Sequence, residues 1–87
     1  EAAAKPRIAI VVPVFNEEAV LPELLARLGA MFAARSGFQW RAILVNDGSL
    51  DRSAHLIRAQ AEQDERFQLV ELSRNFVFNP VRSMQQP

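Results

Sequence analysis

The sequence predicts an α/β fold in which three parallel strands alternate with two helices. Three short apolar runs are rich in β-branched residues, and the two segments between them repeat apolar residues at helical spacing. Strict alternation of strand and helix indicates right-handed crossovers, and hence a parallel sheet with helices packed against it. The chain has 87 residues, which limits it to one small domain with a thin sheet.

The first predicted strand covers residues 8–12, whose continuous apolar character is typical of a strand covered on both faces. Pro13 ends this strand because proline cannot donate a hydrogen bond to the ladder. The second strand, residues 41–45, runs into Asn-Asp-Gly-Ser at residues 46–49, which is a dense turn signal. The third, residues 67–72, alternates only in part and is expected to be half exposed.

Two amphipathic helices are predicted between the strands. Apolar residues recur at helical spacing through residues 21–35, and Pro22 is tolerated only in a first turn, so the first helix begins close to it. Ser-Gly at residues 36–37 ends that helix. Ser49 or Asp51 is expected to cap the second helix. The predicted buried face of the second helix consists of Ala54, Ile57 and Ala61.

Both ends of the chain are expected to lie outside this unit. Residues 1–5, Glu-Ala-Ala-Ala-Lys, match a helical spacer used in engineered fusion proteins, although natural N-termini read the same way. Residues 6–76 form the predicted partial domain, and residues 77–87 form an irregular tail. A three-stranded parallel sheet has two open edges, whereas doubly wound domains carry about five or more strands. The pattern therefore indicates the first half of a larger domain.

Composition excludes several classes of function. Ten basic residues balance ten acidic ones, so the chain lacks the basic footprint of a nucleic-acid binder. The absence of cysteine excludes a disulfide scaffold, a thiolate zinc site and a cysteine nucleophile, and His55 alone does not make a multi-histidine metal site. The longest apolar run, residues 8–15, is much shorter than the roughly 20 residues that span a bilayer and lacks signal-peptide flanks. We therefore expect a soluble, cytoplasmic chain.

Candidate ligand-binding residues follow the first two strands, because open α/β sheets bind ligands at the carboxyl ends of their strands. Parallel strands bring the two loops to one edge, where the oxygens of Asn16, Glu17 and Asp47 can accept hydrogen bonds from a base or ribose. Phe15 offers an apolar face there, and Gly48 permits a positive φ and close backbone approach.

A second reading of the same residues stays open. Asp-Gly-Ser is also a common turn and capping sequence, in which Asp and Ser satisfy backbone donors. Arg74, beyond the third strand, is either a solvated residue or a contact to phosphate or substrate. No Gly-x-Gly-x-x-Gly or Walker-type sequence is present, so a glycine-rich cradle for phosphates is not predicted.

Three blocks carry a family resemblance: Ile-Val-Val-Pro-Val-Phe-Asn-Glu-Glu at residues 10–18, Ile-Leu-Val-Asn-Asp-Gly-Ser-Leu-Asp-Arg-Ser at 43–53, and Leu-Ser-Arg-Asn-Phe at 72–76. With these blocks the chain resembles the start of a glycosyltransferase family 2 domain. It is most similar to the polyprenyl-phosphate glycosyltransferase branch, whose members resemble dolichyl-phosphate mannose synthase. The resemblance implies the Rossmann-like βαβαβ half of a GT-A domain. It also implies sugar transfer from a nucleotide diphosphate donor to a polyprenyl phosphate.

The resemblance also implies roles for individual residues. Pro13, Phe15 and Glu17 would line the pocket of the nucleotide-sugar donor, and Asp47 would contact the base or ribose. Asn16, Gly48 and Arg74 are weaker candidates for the same site.

The chemistry of the family, however, requires Mg²⁺ or Mn²⁺ held by an Asp-x-Asp motif that lies further along in relatives. The ligands of this metal are absent from this chain, so no catalytic or metal-ligating residue is predicted. We expect weak nucleotide binding at best, and no turnover. Full-length relatives are expected at the cytoplasmic face of a membrane. Relatives also continue after Arg-Asn-Phe with Gly and a helix, whereas this chain has Val-Phe-Asn-Pro at residues 77–80.

The residues also bear on two other functions. The open sheet edges suit a non-catalytic fragment that self-associates or pairs with a partner. A receiver-like phosphoacceptor module that uses Asp47 is disfavoured, because the chain lacks the clustered acids and late lysine of that chemistry.

Overall fold

A computed structural model describes residues 5–72 and 76–78 of the chain. The elements in chain order are β1 (Arg7–Val14), α1 (Leu21–Ala34), β2 (Gln39–Asn46), α2 (Ser53–Gln63), β3 (Phe67–Glu71) and β4 (Phe76–Phe78). They form a four-stranded sheet in the order β1-β2-β3-β4, in which the first three strands are parallel and β4 runs antiparallel to β3. The predicted α/β fold with three parallel strands and two helices is confirmed, and the structure adds one antiparallel strand to the sheet.

Both helices pack on one face of the sheet, where they enclose the core. Residues of α1 and α2 join one core cluster with the inward residues of the strands. This is the arrangement expected when successive right-handed crossovers step to the next strand in the same direction. Phe32 of α1 stacks on Trp40 at a centroid distance of 5.1 Å. The buried apolar residues of this core are Val14, Leu21, Leu25, Phe32, Ala42, Leu44, Ile57, Ala61, Phe67 and Leu69.

The expectation that the first strand is covered on both faces is wrong. Burial alternates along β1, and Val11 on the outer side is 62% exposed. A continuous apolar run indicates a strand, but the direction of the crossovers decides which faces are covered. We call the uncovered side the open sheet face. Its residues are Arg7, Ala9, Val11, Pro13, Gln39, Arg41, Ile43, Val45, Gln68, Val70 and Val77.

A fourth strand, β4, forms where the sequence predicted an irregular tail from residue 77. Val77 lies opposite Val70 in the antiparallel ladder with β3. The run Phe-Val-Phe has the aromatic and β-branched composition that favours strands, and its pairing satisfies backbone groups at the edge of β3. The other residues assigned to the tail, 79–87, and residues 1–4 of the predicted spacer lie outside the described residues.

The helix boundaries agree with the sequence prediction. α1 begins at Leu21 with Pro22 in its first turn, and it ends before residues 36–37. In α2, Ile57 and Ala61 are buried as predicted, while Ala54 is half-buried. Within residues 5–72 and 76–78, no helix is both long and apolar enough to cross a membrane.

Candidate functional site

The loops that follow β1 and β2 lie side by side at one edge of the sheet. The β1 loop comprises residues 15–20, and the β2 loop comprises residues 47–52. Val14 pairs with Asn46 at the ends of the two strands, and the Val14 carbonyl accepts a hydrogen bond of 3.0 Å from the Asp47 amide. The predicted convergence of the loops at the carboxyl ends of the strands is confirmed.

Three side chains from the segment 49–53 bind the backbone of the β1 loop. The consecutive amides of residues 16, 17 and 18 donate in turn to Ser49 Oγ at 2.8 Å, Ser53 Oγ at 2.8 Å and Asp51 Oδ2 at 3.1 Å. Side-chain oxygens at alternate positions of the segment 49–53 thus accept hydrogen bonds from three consecutive amides of the β1 loop. These bonds join positions that lie more than thirty residues apart in the chain.

Two side chains of the β1 loop return the interaction. Asn16 Oδ1 accepts a hydrogen bond of 2.7 Å from the Leu50 amide, and Glu18 Oε1 accepts one of 2.8 Å from the Arg52 amide. We call these five hydrogen bonds the interloop latch. Its side chains are Asn16, Glu18, Ser49, Asp51 and Ser53.

The backbone of each loop contains one residue in the left-handed region. Asn16 has a φ of 50°, a conformation that asparagine tolerates better than most residues. Gly48 has a φ of 76°, so the positive φ that the sequence permitted is observed. In this left-handed conformation, Asn16 has latch partners for both its backbone amide and its side-chain oxygen.

Ser53 connects the latch to the start of α2. Its side chain is fully buried, its Oγ accepts the Glu17 amide, and its hydroxyl also bonds Asp51. That hydroxyl is the largest influence that lowers the pKa of the Asp51 carboxyl below its usual 3.8, and the amides of Ser53 and Glu18 add to it. Asp51 Oδ1 also accepts the Ser53 amide at 2.9 Å. The N-cap position of α2 is Arg52, which makes no side-chain cap hydrogen bond, so the prediction that Ser49 or Asp51 occupies that position is wrong.

Other predicted site residues remain accessible in the same loops. Phe15 is 58% exposed, and Pro13 and Asp47 are exposed. Within the described part of the chain, the Asp47 carboxylate has no hydrogen-bond partner, whereas Glu17 Oε1 accepts the Phe15 amide at 3.2 Å. Arg74, which the sequence predicts at the same edge, lies outside the described residues.

The reading of this segment in which Asp and Ser satisfy backbone donors is observed, whereas the ligand-binding reading stays a prediction. Ser49 and Asp51 accept hydrogen bonds from backbone amides. Asn16, a weaker ligand candidate, also has its side-chain oxygen engaged in the latch. Asp47 is left with an accessible carboxylate, which is the state that a ligand contact requires.

Sequence reasoning missed two buried polar residues that lie beneath the β2 loop. Asn46 is 2% exposed and Glu71 is 7% exposed, and Asn46 Nδ2 donates to Glu71 Oε1 at 3.5 Å. The available signal was the alternation in β3, where Phe67 and Leu69 point into the core and Glu71 takes the next inward position. A carboxylate at an inward position requires polar partners.

A concave region of about 760 Å³ lies at the opposite end of the strands. Its lining includes Arg7, Phe32, Trp40 and Arg66, which are remote in the sheet from the two loops. The exposure of Phe15 indicates that the loops are accessible and do not enclose a cavity. Among the residues that the structure describes, no three His, Cys, Asp or Glu side chains are grouped to hold a metal ion.

Comparison with known proteins identifies the family. The model of the family described as glycosyl transferase family 2 matches residues 9–82. The chain is 55% identical over 58 residues to the undecaprenyl-phosphate 4-deoxy-4-formamido-L-arabinose transferase of Pseudomonas paraeruginosa, a match covering 66% of this chain and 16% of that protein.

Proteins of the same name from two other bacteria are also similar. The Shewanella sediminis protein is 46% identical over 70 residues, which cover 79% of this chain and 21% of that protein. The Salmonella paratyphi A protein is 38% identical over 77 residues, or 87% of this chain and 23% of that protein. The matches thus span less than a quarter of the length of these curated relatives. Because the family model extends from within β1 to beyond β4, the chain belongs to glycosyl transferase family 2.

Proposed function

We propose that this chain is the nucleotide-recognising part of a glycosyltransferase that transfers a sugar from a nucleotide diphosphate donor to a polyprenyl phosphate. The main support is that the polar side chains at this edge have different roles: five of them are engaged in the latch, whereas Asp47 beside them keeps an accessible carboxylate. The relatives are named as undecaprenyl-phosphate sugar transferases, which supports a polyprenyl phosphate acceptor. A narrower likeness to dolichyl-phosphate mannose synthase is part of the same proposal.

The charges of the exposed residues favour the nucleoside as their ligand. Carboxylates such as Asp47 and Glu17 repel a diphosphate but accept hydrogen bonds from ribose hydroxyls and base N–H groups. Phe15 supplies an aromatic surface against which a base can stack. Pro13 borders these residues from the open sheet face, and Gly48 lets the backbone approach the ligand. The diphosphate then points away from these two acids.

The family implies Mg²⁺ or Mn²⁺ at the donor diphosphate, where the metal would neutralise charge on the leaving group. The described residues do not fit such a metal, since they contain no suitable group of acids or histidines. We therefore assign no residue of this chain to the metal and derive no step through it. For this chain we propose nucleotide binding without turnover.

Titration of UDP and GDP into the ¹⁵N-labelled chain tests the proposal. We expect amide shifts at Phe15 and Asp47 at millimolar nucleotide. Asp47→Asn should weaken binding about tenfold, the size of one charge-assisted hydrogen bond. Glu62→Gln, which removes an exposed carboxylate on α2, serves as the matched control and should leave the affinity unchanged. The absence of shifts at millimolar nucleotide, or equal losses in both variants, would contradict the proposal.

A second candidate function is self-association through β1, which pairs with β2 alone among the described strands. The Pro6 carbonyl accepts the Gln39 amide and the Val14 carbonyl accepts the Asp47 amide, so even-numbered residues direct their backbone groups toward β2. Odd-numbered residues of β1 direct theirs outward in a parallel ladder. The prediction that Pro13 ends the first strand is wrong, because β1 continues through Pro13 to Val14 and the missing N–H falls on this outer side. The outer edge can therefore pair with another strand.

A further inference from the structure

A chain of polar contacts leads from the half-buried Arg58 of α2 to the buried end of β2. Glu71, the last residue of β3, lies in register with Asn46, the last residue of β2. Its Oε2 is 3.6 Å from Arg58 Nη2, its Oε1 accepts Asn46 Nδ2, and the Arg58 guanidinium lies 4.7 Å from the ring centroid of Phe78. Burial of a carboxylate costs free energy unless polar partners compensate it, so the burial of Glu71 depends on these contacts.

The chain of contacts continues from Asn46 into the β2 loop. Asn46 Oδ1 accepts a hydrogen bond of 3.3 Å from the Ser49 amide, which closes the turn containing Asp47 and Gly48. Ser49 Oγ in turn receives the amide of Asn16, the first contact of the interloop latch. The buried side chains thus support the same turn from below that the latch holds from above.

Glu71 determines which end of the Asn46 amide faces the loop. An ionised carboxylate only accepts hydrogen bonds, so it attracts Nδ2 and repels Oδ1. Asn46 is thereby held with Oδ1 toward the Ser49 amide. Rotation of the amide by half a turn would place N–H groups against N–H and an oxygen against a carboxylate. Only one orientation satisfies all of these buried groups.

We propose that Glu71 and Asn46 are positioning residues, which hold the Asp47-Gly48 turn in the geometry that receives the nucleoside end of a nucleoside diphosphate. The assignment of the ligand rests on the proposed function above. The control of the turn by Glu71 does not depend on that function, because it follows from the contacts of Asn46 and Ser49.

A double-mutant cycle that exchanges the amide and the carboxylate tests this proposal. Asn46→Asp keeps an acceptor for the Ser49 amide but places two carboxylates together. It should shift the amide resonances of Asp47 and Gly48 and weaken UDP binding about five- to tenfold. Adding Glu71→Gln restores a donor opposite the introduced carboxylate, so the double variant should recover the wild-type resonances and bind UDP within about twofold of wild type.

Two further variants distinguish positioning from general destabilisation. Glu71→Gln alone preserves the volume but can present either end of its amide, so the Ser49 amide resonance should move even if Asn46→Asp fails to fold. Gln68→Glu makes the matched amide-to-carboxylate change on β3. Gln68 Oε1 accepts a hydrogen bond of 3.1 Å from Arg41 Nη1, and this substitution should leave the β2 loop unchanged. Urea unfolding of every variant provides the free energy of unfolding for comparison.

The outcomes separate the two proposals. Failure of UDP and GDP to bind the wild-type chain would overturn the proposed function alone, since the resonances of the turn still report positioning. An unmoved Ser49 amide in Glu71→Gln would overturn positioning. A folded double variant that recovers neither the wild-type resonances nor the UDP affinity would also overturn positioning. So would UDP affinities that change only in proportion to the free energies of unfolding.

Discussion

At the scale of single residues, the family motifs contain two kinds of side chain. Ser49, Asp51 and Ser53 are occupied by backbone amides of the β1 loop, whereas Asp47 is exposed. Substitutions of the first kind should therefore affect the free energy of unfolding, and substitution of Asp47 should affect ligand affinity. Measuring both the free energy of unfolding and the ligand affinity of each variant should therefore separate the residues that hold the loops together from those that contact a ligand.

Ser53→Ala should lower the free energy of unfolding by about 1–2 kcal/mol, because it leaves the Glu17 amide without its acceptor beside a fully buried position. Urea denaturation followed by circular dichroism provides the measurement. Ser36→Ala, at an exposed serine beyond α1, is the control and should change stability by less than about 0.5 kcal/mol. An equal effect of the two substitutions would show that the latch contributes nothing at Ser53.

Asp51 should make the stability depend on pH in the acidic range. Its pKa is lowered in the folded chain, so its stabilising effect is complete above the unfolded value near 3.8 and is lost as the pH falls through the folded pKa. Asp64, whose pKa is lowered by Arg66, contributes in the same range. Asp51→Asn should therefore flatten, but not abolish, the dependence measured by urea unfolding between neutral and acidic pH. An unchanged slope would exclude this role of Asp51.

At the scale of secondary-structure elements, β1 shows why the hydrophobicity of a strand does not reveal its neighbours. Its sequence suits burial on both faces, but α1 and α2 cover only one side of the sheet. The inner face of the sheet is therefore buried or half-buried, and the outer face has apolar side chains in contact with water.

Substitutions on the two faces should differ strongly in cost. Leu44→Ala removes a fully buried side chain and should lower the free energy of unfolding by about 2–5 kcal/mol. Val11→Ala, at a position 62% exposed, should cost less than about 1 kcal/mol. Chemical denaturation of both variants measures the difference. A large cost at Val11 would mean that the open sheet face is covered in solution.

At the scale of the whole molecule, the free edge of β1 should allow two copies to pair. Antiparallel pairing centred on Ala9 would match the outward donors and acceptors of Arg7, Ala9 and Val11 with their counterparts. Sedimentation velocity across a range of concentrations should then detect dimers. A strictly monomeric chain at every concentration would rule out this association.

Ala9→Pro provides a direct test of the edge. Proline removes an outward N–H and obstructs an incoming strand, but it spares the β1–β2 ladder, because the backbone groups of Ala9 do not face β2. We expect the dimer fraction to fall, while Ala9→Ser, the control, should retain it. Dimerisation of the proline variant at wild-type strength would place the contact elsewhere.

Much of the fold and the location of the site were predictable because they depend on local patterns. The β-branched runs, the spacing of the apolar helix residues and Pro22 near a helix start predicted the elements and their order. Alternation of strand and helix then placed the loops with Glu17 and Asp47 at one edge, because successive crossovers share a hand. The positive φ of Gly48 was also predictable from a local pattern, since only a few residue types adopt a positive φ readily.

The partners of individual side chains were not predictable. Asn16 and Ser49 are hydrogen-bonded although 33 positions separate them, and Asn46 and Glu71 although 25 positions separate them. These pairs depend on strand register and on how the loops lie against each other. The short strand β4 and the open sheet face likewise depend on contacts between distant segments. Periodicity describes how a segment relates to its own axis, whereas hydrogen-bond partners depend on how segments assemble. For this chain, composition and spacing were enough to predict the edge at which the two loops meet, because they follow local patterns. The packed sheet was needed to show which polar groups at that edge are already engaged.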